Sequence, residues 1–366
     1  MAAAAVIRVG PQAAVQRIAE AARIAHDGDR VEIAAGTYRG DVAVWHQDDL
    51  TIVGLGDGVT LDAHGRSAEG KAIWVFRGGR VRIENITFRN TRVAGRNGAG
   101  IRFERGTLEV RRCTFEHNQM GLLTSNDPTA VLKIRDSRFA AAPHQTDSLP
   151  HLLYAGRIAR LEVIGSHFSG GYAGHLIKSR ARQTELRYNF LVDGPGGQAS
   201  YEVDLPNGGR ALLLGNVIAQ SPQTQNTTVV AYGAEGPAWP DNDLTLVHNT
   251  LVSEAVPGAW FLRTWDDKLP DARIAAVNNL TVGVGLFEWT NPGHFVGNYP
   301  ALSGMLVDPD HQNFRLRADA LPAGRVPRAD ETTPGLTPDA EFRPPAGVRP
   351  IRAPHRWSPG ALQPGY

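Results

Sequence analysis

Between about residue 40 and residue 290 the apolar positions come in short bursts separated by turns, and one kind of burst recurs. It consists of a small or amide residue, a variable residue and then a bulky apolar one. The copies are Ile86-Thr87-Phe88, Cys113-Thr114-Phe115, Ser137-Arg138-Phe139, Ser166-His167-Phe168, Tyr188-Asn189-Phe190, Asn216-Val217-Ile218, Asn249-Thr250-Leu251 and Asn278-Asn279-Leu280. Their last residues are 22 to 33 positions apart, so the strand motif is constant while the turns vary in length. A strand this short cannot bury a face alone, but stacked copies build a continuous core and shield one another's edges, which predicts a solenoid. A sandwich or propeller would need tight hairpin loops, and few Asn-Gly or Asp-Gly pairs lie between alternating runs. Cys113 and the column Asn216, Asn249, Asn278 share one rung position and are expected to stack inside.

A second series of strands runs ahead of the first and is aligned in register as Ile73-Trp74-Val75, Ile101-Arg102-Phe103, Leu122-Leu123-Thr124, Leu152-Leu153-Tyr154, Leu176-Ile177-Lys178, Glu202-Val203-Asp204, Val229-Val230-Ala231, Trp260-Phe261-Leu262 and Leu286-Phe287-Glu288. Before the ladder, Pro11 suits a first helical turn, Val15, Ile18, Ala22 and Ala25 share a helical face, and Gly28 stops it. The organisation read from the chain is a capping helix region over 1–27, a parallel β-helix over 28–316, and a Pro- and Arg-rich tail over 317–366 lying along the solenoid.

Composition narrows the function classes. The 40 Gly and 24 Pro among 366 residues fit a turn-rich fold, and without a triplet period they exclude collagen. Lys plus Arg number 38 against 37 Asp plus Glu, so the net charge of +1 offers no global basic field for nucleic acid. The single cysteine cannot form an intramolecular disulfide, and no Cys/His spacing suggests a zinc site. No apolar run is long enough to insert in a membrane. Closed solenoid ends argue for a monomer. The Ala-rich start is too short for an export signal and is consistent with a secreted or periplasmic protein whose signal has been removed.

With these residues in place, the chain resembles the pectate-lyase-like right-handed parallel β-helix superfamily. The segment Gly28-Asp29-Arg30-Val31-Glu32-Ile33-Ala34-Ala35-Gly36-Thr37-Tyr38, after an amphipathic helix, is similar to that superfamily's N-terminal cap and first rung. Asp308, Phe314-Arg315-Leu316 and Ser358-Pro359-Gly360-Ala361-Leu362-Gln363 are similar to the C-terminal ends of many bacterial members. The resemblance implies an all-β, right-handed, single-stranded parallel β-helix with an N-terminal α-helical cap. It is specific for fold and weak for activity, since the scaffold hosts lyases, hydrolases, esterases, epimerases and adhesins.

The candidate site is where the ladder breaks its apolar rule. His151-Leu152-Leu153-Tyr154, His175-Leu176-Ile177-Lys178-Ser179-Arg180 and Tyr201-Glu202-Val203-Asp204 are successive rungs. Period-2 alternation puts Lys178 with Arg180 and Glu202 with Asp204 on one outward face, and strands about 4.8 Å apart would align Tyr154, Lys178 and Asp204 in a column. A ladder of surface ion pairs is the alternative reading. The chemistry that suits the set is β-elimination on a uronic-acid polymer, whose hard step removes a proton next to a carboxylate and requires cations. Lys178 is the candidate base, and Arg180 or Arg182 would neutralise the substrate carboxylate. Tyr154, His151 or His175 would protonate the leaving oxygen, and Tyr201 would add a substrate contact. Glu202 and Asp204 would hold Ca²⁺ or orient the cations; among lyases on this scaffold, a Lys or Arg base with calcium-binding carboxylates nearby is a familiar arrangement. The expected partner is an acidic polysaccharide or oligosaccharide. A C5-epimerase shares the first proton abstraction. A hydrolase would need paired carboxylates, of which Asp266-Asp267 is one. A non-catalytic glycan binder would use Trp260, Trp265, Trp289 and Tyr232 as stacking surfaces.

Overall fold

The computed structural model describes residues 4–145, 148–287 and 293–365. The chain is nearly all β and folds as a parallel β-helix in which each turn contributes one strand to each of three sheets. It divides into two compact units, Met1–Glu162 with Gly171–Ala181, and Val163–Gly170 with Arg182–Tyr366.

In the first unit, one sheet joins Val6–Val9, Arg30–Ile33, Asp49–Gly54, Arg80–Glu84, Thr107–Arg111 and Val131–Arg135, all parallel. A second joins Ala43–Trp45, Ala72–Phe76, Ala99–Phe103, Met120–Thr124, Leu153–Ala155 and Ile177–Ser179. The third joins Gly36–Arg39, Val59–Asp62, Thr87–Arg89, Thr114–Glu116 and Arg138–Ala140. Phe88, Phe115 and Phe139 point inward from the third sheet and stack, with centroids 5.1 and 4.6 Å apart. Trp74 meets Phe88 edge-on at 5.0 Å.

The capping helix is shorter than the sequence pattern predicts. A strand at Val6–Val9 comes first, and the helix covers only Ile18–Ile24. Its N-terminus is held by a distant group: the buried Asp41 carboxylate accepts hydrogen bonds from the Ile18 N–H at 2.6 Å and the Ala19 N–H at 3.0 Å. Capping by a residue 23 positions away leaves no local signal.

The second unit repeats the plan. Its first sheet is Gln183–Arg187, Arg210–Leu214, Asp243–Val247, Arg273–Val277 and Gly293–Val296. Its second is Val203–Leu205, Thr228–Tyr232, Ala259–Thr264 and Gly285–Phe287, and its third runs from His167–Ser169 to Tyr299–Ala301. An amide ladder occupies the corner before the third sheet. Asn189 Nδ2 donates to Asn216 Oδ1, Asn216 to Asn249, Asn249 to Asn279 and Asn279 to Asn298, at 2.9 to 3.0 Å. Each of these Nδ2 groups also donates to a backbone carbonyl, for example Asn216 to Leu186 at 2.9 Å, so the buried donors are satisfied.

The interior stack read from the sequence is therefore real at Asn216 and Asn249, but the next member is Asn279, not Asn278. Two triplets are shifted by one residue: Leu191 pairs with Phe168, and Leu280 pairs with Thr250. Tyr188 and Asn278 instead occupy the left-handed corner, with φ of 54° and 57°. The pattern misleads because Phe190 and Leu280 point outward and are nevertheless covered. Phe342 stacks on Phe190 at 5.0 Å, and Leu306, Phe314, Leu316 and Ala361 complete that outer apolar layer. The segment after residue 317 also contains a hairpin, Ala340–Phe342 with Val348–Pro350. Its Glu341, fully buried, is paired with Arg315 at 2.8 Å and with Arg349. Burial beside Trp357 pushes His248 down to about 4.

Candidate functional site

In the first unit's second sheet the strands do not alternate strictly. Trp74, Phe76 and Phe103 belong to the aromatic core. Gly100 and Gly121 also face inward: a Cβ there would lie 2.8 Å from the Phe115 ring and 2.9 Å from the Phe139 ring respectively. On the opposite side Ala72, Val75, Ala99, Met120 and Leu123 form a separate apolar cluster joined by Val42, Val44 and Tyr154. The strands Ala72–Phe76, Ala99–Phe103 and Met120–Thr124 thus read outward, inward, inward, outward, so positions i and i+3 share the outer face, whereas at the first strand Val42 and Val44 alternate with Ala43 and Trp45. This places His151 with Tyr154 and His175 with Lys178.

The register confirms one expected neighbour pair, Tyr154 directly opposite Lys178, but shifts other triplets of this series by one residue: Ile101 lies opposite Trp74, not Ile73, and Leu122 opposite Leu153, not Leu152. Arg180 Nε donates to the Tyr154 hydroxyl oxygen at 2.9 Å, and its guanidinium lies 5.9 Å from the Tyr154 ring centre. Tyr154, Lys178 and Arg180 are all half-buried. Beneath them His151 stacks on His175 at 4.8 Å and meets the Tyr154 ring edge-on at 5.4 Å. Both imidazoles are buried, and the His175 backbone N–H donates to His151 Nδ1 at 2.9 Å. With Nδ1 accepting, the neutral His151 ring carries its proton on Nε2. Burial, His175, Lys178 and Arg180 together hold His151 well below the usual histidine range. It is therefore neutral at ordinary pH and supports the Tyr154 ring; as a donor to a leaving oxygen it is unsuited.

The acidic residues belong to the second unit, and their surroundings correct the sequence reading. Asp204 lies opposite Ala231 and is 2% exposed. Glu202 is fully buried and does not share the outer face with Asp204. It precedes Val203, which pairs with Val230, so it stands level with the buried Val229. Among the described residues neither Glu202 carboxyl oxygen has a hydrogen-bond partner within ordinary geometry, although the Gln220 amide lies near enough to favour the charged form. Burial, then the charge of Asp193, push the Glu202 carboxyl well above the usual range. The physical reason is the paired inward positions of the strand, which strict alternation does not anticipate.

Among the described residues no group of three or more His, Cys, Asp or Glu is arranged to hold a metal ion, so Glu202 and Asp204 are not joined by a third such ligand. The donor set does not fit calcium. Arg182 is exposed and pairs with Asp241 at 3.4 Å, as does Arg210. Tyr201 is half-buried. Tyr232, expected as a stacking surface, is fully buried and donates its hydroxyl to the Gly209 carbonyl at 2.7 Å. Trp260 and Trp265 are half-buried, and Trp289 lies outside the described residues. Among the described residues no helix is long and apolar enough to cross a membrane.

No protein-family model and no curated protein sequence matches the chain. The crystal structure of pectate lyase Pel9A superposes on it with a TM-score of 0.69, covering 99% of this chain and 97% of that one at 10% identity. Geobacillus virus E2 ORF18 gives a TM-score of 0.36 at 11% identity over 76% of this chain and 55% of its own, too low to carry an argument. The first likeness establishes the fold as a pectate-lyase-like parallel β-helix and leaves the chemistry to the residues.

Proposed function

We propose that the chain is a polysaccharide lyase that cleaves a uronic-acid polymer by β-elimination on the outer face carrying Tyr154, Lys178 and Arg180. The observation that carries this reading is the direct pairing of Tyr154 with Lys178, with Arg180 hydrogen-bonded to the tyrosine oxygen. The fold shared with a pectate lyase supports it.

In the proposed reaction the Lys178 side chain removes the proton on the carbon bearing the carboxylate. The electron pair left behind forms the ring double bond as the neighbouring carbon–oxygen glycosidic bond breaks. Arg180 offsets the charge that grows on the carboxylate in the transition state. Because Arg180 Nε already donates to the Tyr154 oxygen, the tyrosine O–H is directed elsewhere, toward the leaving oxygen, which it protonates. His151 and His175 are positioning residues that brace the ring of Tyr154. The partner is an acidic polysaccharide met outside the cytoplasm, and no step is routed through a metal.

The test is a screen of acidic polysaccharides for the ultraviolet absorbance of an unsaturated uronate. Lys178→Ala is expected to lower the rate on the accepted polymer by about 10²–10⁴-fold with its melting temperature little changed. Absence of unsaturated product on every acidic polymer would overturn the reading. Unchanged chain length with exchange of the ring hydrogen into solvent would assign the same base to an epimerase.

A further inference from the structure

In the second unit, Thr228–Tyr232 and Ala259–Thr264 pair in register, with Thr228 opposite Trp260 and Ala231 opposite Arg263. Phe261 and Leu262 are both buried, so this strand also sends two consecutive side chains inward, and Trp260 and Arg263 share the outer face. Arg263 is exposed. Its guanidinium lies 4.7 Å from the Trp265 ring centre and 5.9 Å from that of Trp260. The turn that carries Trp265 is fixed: its N–H donates to the Tyr232 carbonyl at 3.3 Å, and its own carbonyl accepts from Lys268 and Leu269 at 3.0 and 2.9 Å. Leu269 is buried, which anchors the turn from below. Among the described residues no carboxylate pairs with Arg263.

We propose that Trp260, Arg263 and Trp265 form a carbohydrate-binding site that takes an anionic sugar ring. A guanidinium stacked on an indole keeps its in-plane N–H fork, which matches a carboxylate. The indole faces that remain open suit the C–H face of a pyranose. Together they select a ring that carries both features, a uronate, over a neutral hexose. The spacing Trp260-Phe261-Leu262-Arg263-Thr264-Trp265 is visible in the sequence, but only the double inward step puts the first tryptophan and the arginine on one side.

The test measures binding of hexasaccharides of galacturonate, mannuronate, guluronate and glucuronate, with a neutral galactose hexamer as control. Lys178→Ala is the parent protein, so that turnover does not interfere. At least one acidic hexamer is expected to bind, and the neutral hexamer to bind at least tenfold more weakly. Arg263→Gln and Trp265→Ala should each weaken the acidic hexamer about tenfold or more without lowering the melting temperature. Arg263→Lys, which keeps the charge and loses the fork, should also weaken it. Equal affinity in the parent and both variants, or no acidic hexamer bound, overturns the proposal. Loss of binding in Arg263→Gln without unsaturated product from the wild-type chain would leave this site standing and remove the lyase reading. The converse result would remove only this site.

Discussion

The two units repeat one backbone plan and hold it together differently. In the first, the third sheet alternates cleanly, with Thr87, Thr114 and Arg138 outward and the stacked Phe88, Phe115 and Phe139 inward, while Ile86, Cys113 and Ser137 occupy the corner. In the second, the corner is the amide ladder from Asn189 to Asn298, and from Phe190 onward the third sheet is largely apolar on both faces, its outer side being covered by residues after 305. Stacked rings are non-directional and tolerate a change of shape. A hydrogen-bonded ladder is directional, so removing one rung orphans groups on both neighbours. The second unit should therefore be the less forgiving of the two.

Asn216→Leu tests this most severely. It leaves the Asn189 side-chain and backbone N–H groups and the Leu186 carbonyl without their partner, at a cost of about 4 kcal/mol at roughly 1–3 per orphaned buried group. Denaturant titration is the measurement, and a loss no larger than that of a first-unit ring substitution would erase the contrast.

A pH effect comes next. Because the folded Glu202 carboxyl is raised above the ordinary 4.5, its protonated form is the one the fold accommodates. The associated stability is fully present below the unfolded carboxyl's pKa and is lost as pH climbs through the folded one. Glu202→Gln should flatten that decline between acid and neutral pH, and a slope identical to wild type would mean Glu202 is not its source.

Phe115→Leu, which keeps an apolar side chain but interrupts the ring stack, should cost about 1.5 kcal/mol. Smallest of all, Cys113→Ala should cost about 1 kcal/mol, since it removes only the weak Sγ contacts to the Arg111 and Ile83 carbonyls and leaves the Cys113 N–H bonded to Ser137 Oγ. Burial also pushes the Cys113 thiol up to about 12, so thiol reagents should modify it only on unfolding. Rapid labelling of the native protein would show that corner to be open.

Much of the fold was legible. A bulky residue recurring after a small or amide one identified the third-sheet strands, and the matched neighbours Tyr154 and Lys178 followed from counting along the second sheet. The errors have physical causes. Phe190 and Leu280 look like core residues because they are buried, but what buries them is chain more than a hundred residues later in one case and dozens in the other. Glu202 was assigned to the outer face by period-2 alternation, which fails where a short strand turns two successive side chains inward. The helix start was misjudged because Asp41, not a neighbour, caps it.

The sequence alone determined the solenoid, because each rung must bury the same position against the next and the repeat of that position survives any variation in the turns. It also determined that basic and aromatic residues gather on Tyr154, Lys178 and Arg180. Which side of a strand each polar group faces, whether a carboxylate meets solvent or the core, and which asparagine joins the ladder were decided only in three dimensions. Those choices depend on where the backbone bends and what packs over it, and both are set by residues far away in the chain.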